Sequence, residues 1–280
     1  MNTFSPFFER NSLFLFFALT LLLSFAVTPL LSAAIAAGSL PPDVESFLVV
    51  IIPSVLAILL AGMTGGKKGI ADLLRKLVHW GVSFKWYAIM LIVALAVRLS
   101  MSLLALALGW IAQIQTRPWT PVQFLVFFVM LYIAAALEEL GWRGFALPKL
   151  LARRSALFSA LLIGIFWGTV HLALHLPGLM LSSFPWPATL IQLVGLSMVI
   201  TWLYVNTQGS LIIASLYHAA QSFFVIVNEG IAGPQQAWLL AIGNIALVLI
   251  LILLAGPALK RGRSAHPIRN AVPHFHDRSL

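Results

Sequence analysis

The chain contains no cysteine, and only 9% of its 280 residues are charged. Without cysteine, disulfide bonds and cysteine-based metal sites are excluded. A soluble domain usually has about 25% charged and about 45–50% apolar residues, whereas 61% of this chain is hydrophobic. The composition therefore excludes an ordinary soluble domain. It predicts an all-α, polytopic integral membrane protein whose surroundings are mainly lipid.

The net charge is +9 at pH 7, but a nucleic-acid partner is not expected. The basic residues lie in short clusters between apolar runs, which is typical of cytoplasmic loops that face anionic lipid. About eight segments are long enough to span the bilayer, since about 20 apolar residues are needed. They are residues 12–36, 46–64, 86–109, 120–147, 156–175, 184–205, 210–228 and 236–256.

Lysine and arginine set the predicted orientation. The second loop, the fourth loop and the C-terminal tail are strongly basic. With eight spans, these segments and both termini fall on the cytoplasmic side. Residues 70–86 are amphipathic and basic, so we expect them to lie along the inner membrane face. In the tail, His274 and His276 are expected to be solvated.

Ionisable residues within apolar segments are the candidates for function. Each costs roughly 2.5–3.5 kcal/mol to insert and usually faces a cavity or a partner. The candidates are Arg98, Glu138, Glu139, Arg143, His171, His175 and His218. Arg98 has no acid of its own nearby in sequence; it can snorkel, pair with one of the two glutamates, or meet a substrate carboxylate.

Glu138 and Glu139 belong to the stretch "LEELGWRGFA". Glu139 and Arg143 are four residues apart, so they share a helix face and can pair. Glu138 is rotated about 100° from Glu139 and faces something else. Separate roles are therefore expected, with one carboxylate held by arginine and the other free for chemistry. A salt-bridge cluster at a helix end is the alternative.

Two later segments carry histidine. His171 follows Trp167 by four residues, so their rings share a face. A core histidine bonded to a backbone carbonyl is the alternative to a functional one. His175, one turn on, is expected at the membrane interface, although a His-x3-His pair can also ligate a metal or a haem. His218 is followed one turn later by Ser222.

These three segments, in this order, resemble the CPBP family of intramembrane proteases, also called the CAAX protease and bacteriocin-processing or Abi family. Its Glu-Glu-x3-Arg motif is present as Glu138, Glu139 and Arg143. Its Phe-x3-His motif is present as Trp167 and His171, with one large ring in place of another. Its His-x3-Asn motif is present as His218, with Ser222 where asparagine is expected. The resemblance covers about residues 120–225.

The resemblance implies a membrane-embedded endopeptidase that hydrolyses a peptide or protein substrate in a cavity open to the cytoplasm. Glu138 is then the general base, assisted by His171, and His218 stabilises the oxyanion beside Ser222. Serine is shorter than asparagine, so oxyanion support is weaker or comes from Gln221. Glu138, His171 and His218 are also a possible zinc set, and metal-free water activation explains the same residues.

We therefore expect three parts: residues 1–119 with three spans and a basic cytoplasmic loop, residues 120–230 as the catalytic core, and residues 231–280 with the last span and a basic tail. The expected location is a bacterial inner membrane. The alternative function is a non-catalytic membrane regulator or bacteriocin-immunity protein that keeps the polar network for structural reasons. A transporter is a third option, but the repeated halves typical of transporters are not seen in the sequence.

Overall fold

The computed structural model describes residues 5–41 and 44–260, and these residues form helices and loops without a β-strand. Seven helical segments are long and apolar enough to cross a membrane. They are Pro6–Ala36, Phe47–Val78, Phe84–Ala107, Pro121–Leu151, Ala156–His175, Trp186–Asn206 and Gly233–Ala255. The predicted all-α, polytopic membrane fold is confirmed. Where the seventh of the eight spans was predicted, the chain forms a shorter apolar helical segment, Leu211–Val227. His274 and His276 lie outside the described residues.

The α-helices are α1 (Ser5–Ala36), α2 (Val44–Arg75), α3 (Phe84–Ala107), α4 (Pro121–Glu139), α5 (Leu147–Leu151), α6 (Ala156–Leu172), α7 (Trp186–Asn206), α8 (Leu211–Phe223) and α9 (Gly233–Ala255). A π-helix, Leu140–Ala146, joins α4 to α5. Helix starts follow capping signals in the sequence. Thr120 and Gln123 form a capping box before α4, and the Ser155 and Ser210 hydroxyls cap α6 and α8.

The stretch "TGGKKG" begins where the predicted span 46–64 ends, but it lies within α2. The helix breaks at Gly66, where φ is 58° and ψ is −152°, and then continues to Arg75. Glycine has no Cβ, so it takes this backbone conformation at low cost. A 3₁₀ turn, Lys76–Val78, follows, and α3 starts only at Phe84. The basic stretch predicted at 70–86 is therefore helical at both ends but not at residues 79–83.

The helices pack as neighbours through small residues. Helix α6 packs along α7, which also contacts α9, while α1 packs on α2 and α4 on α8. Gly164 of α6 approaches the Val194 backbone so closely that a Cβ there would lie 2.7 Å from the Val194 Cα. Close approach through glycine is common between membrane helices. By contrast, α6 does not pack closely on α4 or α8, so contact between them depends on long side chains.

The π-helix is buried along its whole length. Trp142 is fully buried and packs edge-on against Phe16 of α1, with ring centroids 5.4 Å apart. Gly141 lies against α2 at Pro53, and the Ser54 hydroxyl donates to the Leu137 carbonyl. The Lys76 ammonium donates to the Gly144 carbonyl at 2.6 Å. A π-helix inside an α-helix commonly marks a functional segment, and here α1, α2 and the Lys76 turn hold it in place.

Replacing Gly141 with alanine is expected to destabilise the protein by about 1–3 kcal/mol, the usual cost of overpacking. The added Cβ would lie 2.6 Å from the Pro53 carbonyl carbon, so α2 and the π-helix must separate. Gly65→Ala is the control, because no atom lies within 4 Å of a Cβ built there. Thermal unfolding in detergent measures both. Equal unfolding temperatures for the two variants would contradict the close contact.

Candidate active site

Glu139 and Arg143 form the ion pair that their spacing predicts. Arg143 Nη1 donates to Glu139 Oε1 at 3.1 Å, and both side chains are 0% exposed. The second Glu139 oxygen, Oε2, has no hydrogen-bond partner among the described residues, and neither do Arg143 Nε and Nη2. Buried polar atoms of this kind usually bind ordered water. One carboxylate is therefore neutralised by arginine at the point where α4 becomes the π-helix.

His218, from α8, connects the two carboxylates. Its Nδ1 lies 3.0 Å from Glu139 Oε1 and donates to it. Its Nε2 lies 3.6 Å from Glu138 Oε2, a distance too long for a hydrogen bond. The side chain of His218 is 12% exposed and that of Glu138 is 6% exposed, in contrast to the fully buried Glu139 and Arg143. The face of the cluster that retains some access is therefore formed by Glu138 and His218.

Trp167, from α6, lies at the centre of the cluster. Its indole Nε1 donates to Glu138 Oε1 at 3.1 Å, and the side chain is fully buried. Its ring meets the imidazoles of His171 and His218 edge to face, with centroids 5.7 Å and 5.1 Å away. The Arg143 guanidinium carbon lies 4.9 Å from the same ring centre. One indole thus contacts four of the residues predicted from the sequence.

His171 reaches the cluster only through Trp167. Its Nδ1 donates to the Trp167 carbonyl at 3.0 Å, because a carbonyl oxygen only accepts. This is the local hydrogen bond that the sequence raised as the alternative to a functional role. In the neutral ring it leaves Nε2 with a free lone pair. No hydrogen bond joins His171 to Glu138 or Glu139 within the described part of the chain. His175 bonds to the His171 carbonyl and lies 3.3 Å from the Thr189 hydroxyl.

Ser222 is one turn after His218 and partly buried. Among the described residues, no hydrogen bond connects its hydroxyl to the cluster. Gln221 faces elsewhere. Its side-chain amide donates to the Tyr217 hydroxyl at 3.0 Å, and its backbone carbonyl accepts from Arg98 Nε at 2.7 Å. The sequence left open whether Gln221 replaces the missing asparagine, and this geometry does not bring its amide to the site.

Arg98, which the sequence left unexplained, joins α3 to the end of α8. It pairs with neither Glu138 nor Glu139. Besides the Gln221 carbonyl, its Nη1 donates to Asn228 Oδ1 at 3.4 Å, and Asn228 donates back to the Arg98 carbonyl at 2.9 Å. A cation beside the last carbonyls of a helix is favoured by the helix dipole. Arg98 therefore stabilises the C-terminal end of the helix that carries His218.

The three candidate zinc ligands, Glu138, His171 and His218, do not form a ligand set in this arrangement. In the part of the chain that the structure describes, no three histidine or acidic side chains are grouped closely enough to hold one metal ion. Both nitrogens of His218 already face carboxylates, whereas a zinc ligand needs a nitrogen directed at the ion. Zinc binding therefore stays a prediction.

Residues 118–224 match the model of a family described as Rce1-like, type II CAAX prenyl endopeptidase. This segment contains all three motifs that resemble the CPBP family. Over 147 residues the chain is also 29% identical to the CAAX prenyl protease 2 of Methanococcus maripaludis, covering 49% of this chain and 50% of that relative. The chain thus spans about half the length of the curated relative it matches. The CPBP resemblance drawn from the sequence is confirmed, while the limits expected for its three parts stay a prediction.

Two residues contribute to the site in ways that the sequence analysis does not predict. Trp167 stands where the motif has phenylalanine, and its N–H donor is visible in the sequence as a departure from the motif. Lys76, which binds the Gly144 carbonyl, gave no such signal because it lies in a basic cluster typical of any cytoplasmic loop. Its contact joins positions 68 residues apart and depends on the bend in α2.

Proposed function

We propose that this chain is an intramembrane endopeptidase in which Glu138 activates water. Glu138 takes a proton from the water as its oxygen attacks the peptide carbonyl carbon. His218 donates from Nε2 to the oxyanion that forms. When the carbon–nitrogen bond breaks, the proton held by Glu138 passes to the leaving amine. His171, with its free Nε2, serves as an additional proton acceptor near the entering water.

The different surroundings of the two carboxylates support this proposal most strongly. Arginine and histidine compensate the charge of Glu139, which is fully buried. Glu138 Oε2 is left facing His218 Nε2 across 3.6 Å. A water molecule on the accessible side of this pair can contact both atoms. Amide hydrolysis requires a base next to the attacking water and a donor next to the carbonyl oxygen of the substrate, and Glu138 and His218 lie close enough together to supply both.

The proposed substrate is a peptide or protein segment that reaches the site from the cytoplasmic side of a bacterial inner membrane. The curated relative is named for prenylated CAAX substrates, and the matched half of the chain makes a CAAX-type peptide the first substrate to test. A prenyl group is one possibility, and a peptide without lipid is the other. Both termini are proposed to be cytoplasmic, as the basic loops indicate.

Hydrolysis of a fluorogenic CAAX-type peptide by the purified protein in detergent tests the proposal. Two peptides of identical sequence, one farnesylated and one not, separate the substrate possibilities. Mass spectrometry of the products identifies the bond that is cleaved. A parallel reaction with a zinc chelator tests the metal: activity that is lost with chelator and restored by zinc requires a metal at the site. Absence of cleavage of both peptides, or equal cleavage by a Glu138→Gln variant, would overturn the proposed mechanism.

Ser222→Asn is expected to raise kcat about tenfold, because it returns an amide donor to the position beside His218. Loss of one oxyanion donor commonly costs about 10²–10³ in rate, and a donor added without further adjustment should recover part of this. Ser222→Ala is the control and should change kcat by no more than about twofold, since the hydroxyl makes no hydrogen bond to the cluster. A hundredfold loss in Ser222→Ala would mean that the serine already acts as the donor.

A non-catalytic membrane regulator or immunity protein is the second candidate. The isolation of Ser222 favours it, since the position that the family uses for oxyanion support is not connected to the cluster. This candidate predicts that a cellular phenotype of the intact protein survives in Glu138→Gln. The protease predicts that the phenotype is lost while the protein remains in the membrane.

A further inference from the structure

We propose that Trp167 is a positioning residue that fixes the Glu138 carboxylate through its indole N–H and thereby determines which oxygen takes the proton. The inference rests on the proposed function. It concerns a contact that the phenylalanine of the family motif cannot make, because a benzene ring has no polar donor. The replacement of phenylalanine by tryptophan is therefore a gain of one hydrogen bond at the base.

The geometry gives the two Glu138 oxygens different surroundings. Oε1 accepts the Trp167 N–H at 3.1 Å, and Oε2 faces His218 at 3.6 Å. With Oε1 bonded to a fully buried indole, the carboxylate cannot turn about its last bond without losing that hydrogen bond. Oε2 is thus held toward the imidazole and is the oxygen available to water. A carboxylate with a fixed orientation transfers a proton along a defined path.

The indole can act in this way because its own position is fixed. Trp167 is fully buried, and the next residue, Gly168, packs so close to α7 that a Cβ there would lie 3.4 Å from the Leu190 Cα. The two imidazoles meet the ring edge to face, and the Arg143 guanidinium lies over it. Since α6 does not pack closely on α4, the long indole bridges a gap between the two helices. A phenyl ring in the same place is shorter and leaves Oε1 without a donor.

Trp167→Phe and Trp142→Phe form a matched pair for the test. Both tryptophans are 0% exposed, so both variants remove similar buried volume. Trp142 Nε1 has no hydrogen-bond partner among the described residues, so its loss removes no polar contact.

For cleavage of the CAAX-type peptide, Trp167→Phe should lower kcat about 10–100-fold with KM nearly unchanged. Its pH–rate profile should also shift on the acid side toward higher pH, because the ionised carboxylate has lost a donor. Trp142→Phe removes no donor from Glu138 and should leave the acid side of the profile unchanged, with a smaller loss of kcat than Trp167→Phe.

A second measurement examines the hydrogen bond without relying on activity. Ultraviolet resonance Raman spectra report the hydrogen bonding of indole N–H groups. Glu138→Ala should alter the N–H band in the wild-type background and leave it unaltered in the Trp167→Phe background. If the band does not respond to Glu138→Ala, the contact does not exist and the inference is overturned.

The two experiments separate the inference from the proposed function. A Raman response without peptide cleavage leaves the contact established and overturns the protease. Cleavage that depends on Glu138 but falls equally in Trp167→Phe and Trp142→Phe overturns the positioning role and leaves the protease intact. Cleavage that falls only in Trp167→Phe, together with the shifted pH profile and the Raman response, supports both.

Discussion

Replacing Glu138 with glutamine is expected to lower kcat for peptide hydrolysis by about 10²–10⁴, the usual contribution of a general base. Glutamine keeps the size of the side chain, and its amide oxygen can still accept the Trp167 N–H. What it loses is the ability to accept a proton from water. KM should change little, because Glu138 is assigned to the reaction step rather than to substrate binding. Initial rates on the fluorogenic peptide, measured over a range of substrate concentrations, check this expectation.

Glu229→Gln is the control for this substitution. Glu229 pairs with Arg117 at 2.7 Å, and both side chains are 39% exposed, so neutralising it should leave kcat unchanged. The comparison separates loss of a base from loss of any carboxylate in the chain. A Glu138→Gln variant that retains more than about a tenth of wild-type kcat would exclude Glu138 as the base.

Replacing Arg143 with methionine is expected to destabilise the protein by about 3–5 kcal/mol, because it leaves a fully buried carboxylate without its cation. The Glu139–Arg143 pair is 0% exposed on both sides, so bulk water does not solvate the carboxylate once the guanidinium is removed. His218 still contacts Glu139, but at a single oxygen. Unfolding of the purified protein in mixed micelles of increasing SDS content measures the loss.

The double variant Arg143→Met with Glu139→Gln should recover more than half of this loss, because the unpaired charge is then removed as well. Arg117→Met supplies the exposed comparison: it breaks the half-exposed pair with Glu229 and should cost no more than about 1 kcal/mol. If Arg143→Met costs as little as Arg117→Met, the buried pair does not stabilise the fold.

Helix periodicity within the sequence explains why part of the site was predictable. The spacing of Glu139 and Arg143 places them on one helix face, and they pair at 3.1 Å even though Leu140–Ala146 is a π-helix. The bond of His171 to the carbonyl four residues earlier is likewise a contact within one turn. Interactions of this kind depend on local backbone geometry, so residue spacing is enough to anticipate them.

The residues at which the helices begin and end were less predictable. Glycine pairs such as Gly65–Gly66 favour both a loop and a break inside a helix, and the structure has the break. At 210–228 the apolar run is long enough for a span, yet α8 gives way to a 3₁₀ turn after Phe223. Near this point Arg98 of α3 donates to the Gln221 backbone carbonyl and to the Asn228 side chain. The hydropathy of the segment carries no information about such contacts from another helix.

The sequence alone determined that the chain is an all-α membrane protein and that most of its costly ionisable residues lie on three segments that resemble the CPBP motifs. These properties follow from composition and from spacing over one or two turns. Only the tertiary structure decided that His218 bonds to Glu139 at 3.0 Å, that Trp167 holds Glu138, and that Arg98 supports α8 rather than either acid. Those contacts join residues 29 to 123 positions apart. They depend on how helices approach one another and how far each side chain reaches, and the period of a single helix carries no information about either.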